Sequence, residues 1–174
     1  MSAGTLTSFE QLLGELDVPV THADRETFRD RIDETVEPPA VGVPIGEALD
    51  DPSLSLAETA VEVDPTPVAL RDATTGVTGA QLGIGDYGTL VLSLTDRASE
   101  LISLFAERHV AVVRERDIVS DMETAFQTLR REFEANRGSA ILATGPSATA
   151  DMGALVKGAH GPRAVHVLVL TEDE

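Results

Sequence analysis

Side chains that could bind a ligand follow an apolar segment near the end of the chain. Residues 140–143 are apolar, and the turn-forming segment 144–146 separates them from Ser147, Thr149 and Asp151. Serine or threonine just before a helix accepts hydrogen bonds from the first helical amides, and those amides favour anions. This order of residues indicates an anion-binding turn. A plain turn with a helix cap and no ligand explains the same pattern.

The residues after this turn have the spacing of a short helix. Met152, Leu155 and Val156 would lie on one helical face, and Gly158 would end the helix. A second apolar segment follows at 164–170. Two strands joined by a helix form a right-handed βαβ unit. We therefore predict such a unit over 140–170, with its ligand site at the carboxyl end of the first strand.

Histidines are the candidates for acid–base chemistry. His160 is the candidate catalytic residue, because it lies in a glycine-flanked loop of this unit. His109 opens an apolar segment and His166 lies within one, as histidines packed in a core do. No pair has the spacing of a metal site, so we expect no metal. Ser147, His160 and an acid could form a triad, but the strained G-x-S-x-G turn is absent.

Glycines are concentrated ahead of a second set of polar residues. Four of them, Gly76, Gly79, Gly83 and Gly85, could line a ligand, although they match no phosphate-loop spacing. Asp86 follows them directly. The apolar segment after it, at 88–94, is typical of a buried strand.

Arg97 follows this strand in the predicted first turn of a helix that Thr95-Asp96 would cap and that runs to about residue 106. A cation is unfavourable there for the helix dipole. We therefore expect Arg97 to serve Asp86, Asp151 or an anionic ligand. The alternative is an arginine that faces solvent.

Together these segments resemble the LUD domain, the lactate-utilisation family that includes LutC and YkgG proteins. Two positions depart from the family pattern: Tyr87 stands where members usually carry Ser or Thr, and no proline precedes His109. The similarity rests on Thr144 to Asp151, His160-Gly161-Pro162 and His166, and on Gly76-Val77-Thr78-Gly79-Ala80, Asp86 to Leu92, Arg97 and His109-Val110.

The resemblance implies the fold shared by glucosamine-6-phosphate deaminase, ribose-5-phosphate isomerase and coenzyme A transferases. It also implies a subunit of a complex that oxidises L-lactate to pyruvate, with the iron–sulfur clusters on partner subunits. The chain itself would bind or position a small anionic ligand, without a redox cofactor of its own. In this interpretation the ligand residues are Asp86, Gly88, Thr89, Arg97, Thr144, Gly145, Ser147, Thr149, Asp151, His160 and Gly161.

Composition narrows the classes of protein further. The 174 residues suit one domain and include no cysteine, so they hold no disulfide, thiol nucleophile or cysteine-bound cluster. Thirty acidic residues against 13 basic ones give a net charge of −17, which resembles cytoplasmic proteins of salt-loving archaea. Nucleic-acid binding needs a basic surface, and membrane anchoring needs a long apolar segment. We expect neither of these, and we expect a cytoplasmic location.

Hydrophobic periodicity predicts an α/β framework for these residues. Residues 1–37 are predicted as an N-terminal helical segment and 38–174 as the α/β domain, all within one compact domain. Alternating strands and helices with apolar strands are typical of a three-layer α/β domain with a mostly parallel sheet. The strands are predicted at 38–44, 60–63, 88–94 and 109–113, and the longest helix at 120–136.

Two other functions stay open at this point. The chain could be a stand-alone enzyme or binding protein for a phosphorylated or coenzyme A-type molecule, as others of that fold are. Such sites recruit several cations, and only Arg97, Lys157 and Arg163 lie near the predicted loops. The chain could also act only as a scaffold or regulator.

Overall fold

The computed structural model describes residues 3–94, 97, 99–136, 138–151 and 154–171. The helices are α1 (Ala3–Glu15), α2 (Phe28–Thr35), α3 (Ile45–Ala48), α4 (Pro67–Asp72), α5 (Ser99–Phe105) and α6 (Met122–Asn136). The strands are β1 (Val20–Ala23), β2 (Ala40–Gly42), β3 (Val61–Val63), β4 (Thr75–Gly79), β5 (Leu82–Ile84), β6 (Thr89–Ser93), β7 (Arg108–Arg114), β8 (Ile118–Val119), β9 (Ala140–Thr144), β10 (Ala148–Asp151), β11 (Ala154–Lys157) and β12 (Ala164–Leu170).

A six-stranded sheet in the order β1-β12-β7-β4-β2-β3 forms the centre of the fold, and all its strands are parallel. Arg108 at the start of β7 lies opposite Ala164 at the start of β12 and Thr75 at the start of β4. The strands therefore begin together at one edge of the sheet, the amino edge. They end together at the opposite, carboxyl edge.

Alternate residues of the central strands face two separate cores, as the two-residue period of a strand requires. In β7, Val110 and Val112 pack in the core beneath the helical layer that includes α2 and α5, together with Ile102. Ala111 and Val113 pack on the opposite face with α1 and a smaller sheet. The predicted three-layer α/β architecture with a mostly parallel central sheet is thus confirmed.

The smaller sheet has the order β8-β5-β6-β9, and β6 pairs antiparallel with both β5 and β9. Its outer face is covered by α6, which packs Ala125 and Leu129 against Val91. The strand predicted at 88–94 is correct as a strand, but it belongs to this sheet. The glycine-rich segment that precedes it also forms strands, β4 and β5, which sequence periodicity did not predict.

One glycine in β4 has a direct packing role. A Cβ atom at Gly76 would come within 2.4 Å of the backbone carbonyl oxygen of Ile102 in α5. Glycine therefore lets α5 lie directly on the central sheet. No helix within the described ranges is long and apolar enough to cross a membrane.

The N-terminal residues contribute to the sheet as well as to the helices. Phe9 and Leu13 of α1 are buried in the second core, as the predicted amphipathic helix requires. Within the segment 1–37, predicted to be helical, β1 joins the central sheet by pairing with β12. This strand has four residues, of which only Ala23 is buried, so it carries almost no periodic signal.

The predicted βαβ unit at 140–170 is wrong. β9 pairs antiparallel with β6 in the smaller sheet, and β10 and β11 form an antiparallel hairpin where the helix was predicted. In the hairpin, Thr149 lies opposite Val156, a pairing of β-branched residues that suits a strand. Leu155 and Val156 are exposed, so their helical spacing does not reflect burial. Met152 lies outside the described residues.

Candidate functional site

Most of the residues predicted to bind a ligand lie around two cavities at opposite edges of the central sheet, and His160 and Gly161 also line an adjoining groove of about 590 Å³ with Glu107 and Arg163. We call the first the amino-end cleft; its volume is about 340 Å³, and it lies where β7 and β12 begin, against the end of β9. We call the second the carboxyl-end cavity; its volume is about 310 Å³, and it lies beyond the ends of β2 and β4. A wider groove of about 730 Å³ along the 44–63 loop contains none of the predicted residues.

The amino-end cleft contains the larger part of the predicted set. Gly145 turns the chain after β9 with φ 65°, and Gly88 opens β6 with φ 60°. The amide of Ser147 donates to the carbonyl of Pro162 at 2.9 Å, which joins the two loops that carry most of the set. A Cβ atom at Gly161 would lie 3.1 Å from Cβ of Ser147, so the loops approach closely. The predicted residues that line the cleft are Gly88, Thr144, Gly145, Ser147, His160 and Gly161.

Other predicted residues lie near the cleft without lining it. Thr89 is buried, and its hydroxyl lies 2.7 Å from the hydroxyl of Thr144, so a hydrogen bond between them orients the Thr144 side chain. Asp86 is exposed in the turn before β6, and its amide donates to the carbonyl of Ser120. Thr149 and Asp151 belong to β10 instead of a helix start. The anion site expected from helix amides at that position is therefore absent.

Arg97 lies apart from this group, in the carboxyl-end cavity. Its guanidinium forms ion pairs with Glu47 at 3.2 Å and with Asp64 at 3.0 Å, two carboxylates that the sequence analysis did not suggest. Arg97 also precedes α5, which begins at Ser99, so it is not in a helical turn. β6, roughly 13 Å from its first residue to its last, runs between the two sites: Leu90 and Leu92 line the amino-end cleft, and Ser93 lines the carboxyl-end cavity.

His109 lines the amino-end cleft, and the sequence analysis assigned it only to the core. It is 2% exposed, and its Nε2 lies 2.8 Å from the hydroxyl of Thr78 in β4. Burial lowers the pKa of His109 to about 4, so the ring is neutral at pH 7. Its place at the start of β7, where the amino edge meets the loops, is the signal that could have identified it.

His166 faces the opposite side of the sheet and packs as predicted for a core histidine. Its Nε2 lies 2.8 Å from the hydroxyl of Thr21, and the guanidinium of Arg108 lies 3.1 Å from Nδ1. Burial, and then the charge of Arg108, lower the pKa of His166 to about 4. It takes no part in the amino-end cleft.

The amino-end cleft is lined by hydroxyl, imidazole and apolar groups. Its described lining includes the hydroxyls of Ser103, Thr144 and Ser147 and the imidazoles of His109 and His160, beside apolar walls, with no Asp, Glu, Lys or Arg. Among the described residues, no hydrogen bond joins Ser147 to His160 and no cluster of potential ligands could hold a metal ion. The cleft is therefore suited to binding through neutral donors and acceptors.

Comparison with known proteins assigns the chain to a family. The LUD domain model matches residues 3–170. The chain belongs to the LUD domain family. Within this LUD domain, the match covers both cavities and both sheets.

Two curated relatives share the name Lactate utilization protein C. The one from Deinococcus radiodurans is 32% identical over 123 residues, which are 70% of this chain and 52% of the relative. The one from Bacillus velezensis is 31% identical over 104 residues, which are 57% of this chain and 43% of the relative. The LUD domain described here thus spans about half the length of the curated relatives that it matches.

A solved structure supports the fold. The crystal structure of a DUF162 family protein from Deinococcus radiodurans superposes with a TM-score of 0.71 and 23% sequence identity. The superposition covers 98% of this LUD domain and 99% of that chain. This LUD domain therefore shares its overall fold with a solved protein.

Proposed function

We propose that this LUD domain is a LutC-like component of lactate utilisation. In this proposal it is a cytoplasmic subunit that binds a small anionic ligand, while partner subunits oxidise L-lactate to pyruvate. The observation that carries the proposal is its sequence identity of 32% and 31% to two proteins named Lactate utilization protein C. The relatives are longer, so the assignment concerns the shared domain.

The absence of cysteine supports a division of labour between subunits. Iron–sulfur clusters are held mainly by cysteine thiolates, and these 174 residues contain none. In this proposal the thiolates that hold the clusters come from partner subunits. This domain contributes binding or positioning, without a redox cofactor of its own.

The amino-end cleft is the ligand site that we favour. It collects most of the residues that the family resemblance implies, and its lining bears no carboxylate in a chain of net charge −17. An anion that enters it meets no carboxylate in the described lining, and the adjoining groove that shares His160 and Gly161 carries both Glu107 and Arg163. The hydroxyl and imidazole groups can donate charge-assisted hydrogen bonds to a carboxylate.

The alternative, a stand-alone protein for a phosphorylated or coenzyme A-type molecule, has less support. A phosphate carries a larger charge than a carboxylate and normally recruits arginine or lysine. None of the described residues that line the amino-end cleft is cationic. In the carboxyl-end cavity, Arg97 already pairs with Glu47 and Asp64.

Deletion of the gene and co-purification test the proposed function together. We expect the deletion strain to fail to grow on L-lactate and to grow normally on pyruvate, which isolates the oxidation step. A tagged copy should restore growth and co-purify with cysteine-rich iron–sulfur proteins. Normal growth of the deletion strain on lactate, or recovery of the tagged chain alone, would contradict the proposal.

A further inference from the structure

One nitrogen of His109 is held and the other is not. Nε2 lies 2.8 Å from the hydroxyl of Thr78, and both side chains are buried. Nδ1 has no partner among the described residues. Among the described residues, the fully buried side-chain atoms without a hydrogen-bond partner are Glu100 Oε2 and Arg108 Nε. Nδ1 is not one of them, so it is not fully buried. Since His109 lines the amino-end cleft, Nδ1 is the ring nitrogen that reaches it.

The hydrogen bond with Thr78 fixes which nitrogen carries the proton. Thr78 is 0% exposed, and its hydroxyl has His109 Nε2 as its only partner in the part of the chain that the structure describes. A buried hydroxyl donates its proton where an acceptor is available. Donation to Nε2 satisfies the hydroxyl and leaves the proton of the neutral ring on Nδ1. The ring then presents an N–H donor to the cleft.

The surroundings of this donor limit the ligand. Leu90, Ile141 and Val165 line the cleft with apolar surface, and Ser147 and Thr144 add hydroxyls. A volume of about 340 Å³ suits a small molecule. A neutral donor among apolar walls suits an oxygen of a short monocarboxylate, either in the carboxylate group or on the carbon next to it. A doubly charged phosphate would lose its hydration there without gaining a cation.

We propose that His109 binds a short 2-hydroxy or 2-oxo monocarboxylate in the amino-end cleft by donating a hydrogen bond from Nδ1 to a ligand oxygen. Thr78 is the positioning residue, because it holds the ring in the tautomer that donates. The inference rests on the proposed function for the class of ligand. It adds the residue that recognises the ligand and the atom through which it does so.

Two substitutions separate the two nitrogens of the ring. His109→Gln keeps an acceptor near the position of Nε2 for Thr78 and removes the donor at Nδ1. His109→Asn keeps an amide donor near the position of Nδ1 and loses the contact with Thr78. We expect His109→Gln to weaken binding of L-lactate and pyruvate at least ~10-fold, as for loss of one hydrogen bond to a charged group. His109→Asn should retain more affinity than His109→Gln.

Nitrogen NMR of histidine-labelled protein tests the tautomer directly. The His109 resonances, assigned by their loss in His109→Gln, should show a protonated Nδ1 and an unprotonated Nε2. Addition of L-lactate or pyruvate should shift the Nδ1–H resonance, and Thr78→Val should reduce this tautomer. Inorganic phosphate at the same ionic strength should bind more weakly than either carboxylate.

The outcomes distinguish this inference from the proposed function. A proton on Nε2, normal carboxylate binding by His109→Gln, or tighter binding of phosphate overturns the role of His109. The same holds if no carboxylate binds the protein. If growth on lactate and co-purification with iron–sulfur proteins persist in those cases, the proposed function stands without this inference. Normal growth of the deletion strain on lactate, or recovery of the tagged chain alone, would instead contradict the proposed function.

Discussion

The amino-end cleft and the carboxyl-end cavity are similar in volume, about 340 Å³ and about 310 Å³, but they handle charge in different ways. The cavity contains a guanidinium, Arg97, which pairs with Glu47 and Asp64. The described lining of the cleft contains only neutral side chains and histidines. Ion pairs therefore neutralise the charge in the carboxyl-end cavity, whereas buried hydrogen bonds satisfy polar groups of the amino-end cleft.

This difference shows that the topology of a parallel sheet does not by itself identify the binding site. Ligands of open α/β sheets commonly bind beyond the carboxyl ends of the strands, which is where the cavity lies. In this protein a smaller sheet closes over the amino edge. Thr144 at the end of β9 and the loop with His160 reach the first residues of β7 and β12. The smaller sheet thus creates a pocket at the amino edge, where open α/β sheets do not commonly bind ligands.

Filling each site with a leucine should give the largest contrast between them. Ser147→Leu places a larger apolar side chain in the amino-end cleft, and Ala48→Leu places one in the carboxyl-end cavity. We expect Ser147→Leu to weaken carboxylate binding by at least ~30-fold, or roughly 2 kcal/mol, and Ala48→Leu to change it less than ~2-fold. Titration calorimetry measures both, with thermal unfolding as the control for folding. The reverse ranking would move the ligand site to the carboxyl-end cavity.

Sequence reasoning identified the layers better than it identified the site. The continuous apolar segments at β7 and β12 predict strands of a parallel sheet that is covered on both faces. In the structure, both faces of each strand are buried. The hairpin β10–β11 was predicted as a helix, since Leu155 and Val156 have helical spacing although they face solvent. Periodicity reports burial only when a core imposes it.

The candidate site was only partly predictable for a related reason. Ser147 and His160 belong to two motifs that lie close together in the sequence, so the sequence indicates that they act together. Arg97 is a candidate because a cation in the predicted first turn of a helix suggests an anionic partner, and local order cannot show that Arg97 and Gly88 are at opposite ends of β6. The role of His109 depends on Thr78 in another strand. Such pairings are set by sheet register, which a single sequence does not reveal.

Burial of His109, which lines the amino-end cleft, should make the stability of the protein depend on pH. Its folded pKa of about 4 lies below the ordinary value of 6.5, so between these values the unfolded chain binds a proton that the folded chain does not. Stability is therefore complete above about pH 6.5 and falls as the pH drops towards 4. We expect His109→Gln to remove about 1 kcal/mol of the stability difference between pH 7.5 and 5.5.

Chemical denaturation at the two pH values measures this effect. The same substitution at exposed His22 serves as the control for removing a histidine from the surface. His166 has a lowered pKa of its own and gives a residual slope of the same sign, so the variant should be flatter than the native protein but not flat. An unchanged slope in His109→Gln would mean that the pKa of His109 in the folded protein is close to its ordinary value.

The smallest effect is expected from Arg97, although it carries the charge that first suggested an anion site. Its side chain is 46% exposed, and those of Glu47 and Asp64 are 62% and 47% exposed, so solvent screens both ion pairs. Such exposed pairs contribute about 0–1 kcal/mol each. We expect Arg97→Gln to lower the free energy of unfolding by less than about 1 kcal/mol, with the loss shrinking further as salt is raised. Carboxylate affinity should stay within ~2-fold of the native value, because Arg97 does not line the amino-end cleft. A large loss of affinity would show that the two sites are coupled through the smaller sheet. The two sites could then no longer be treated as independent.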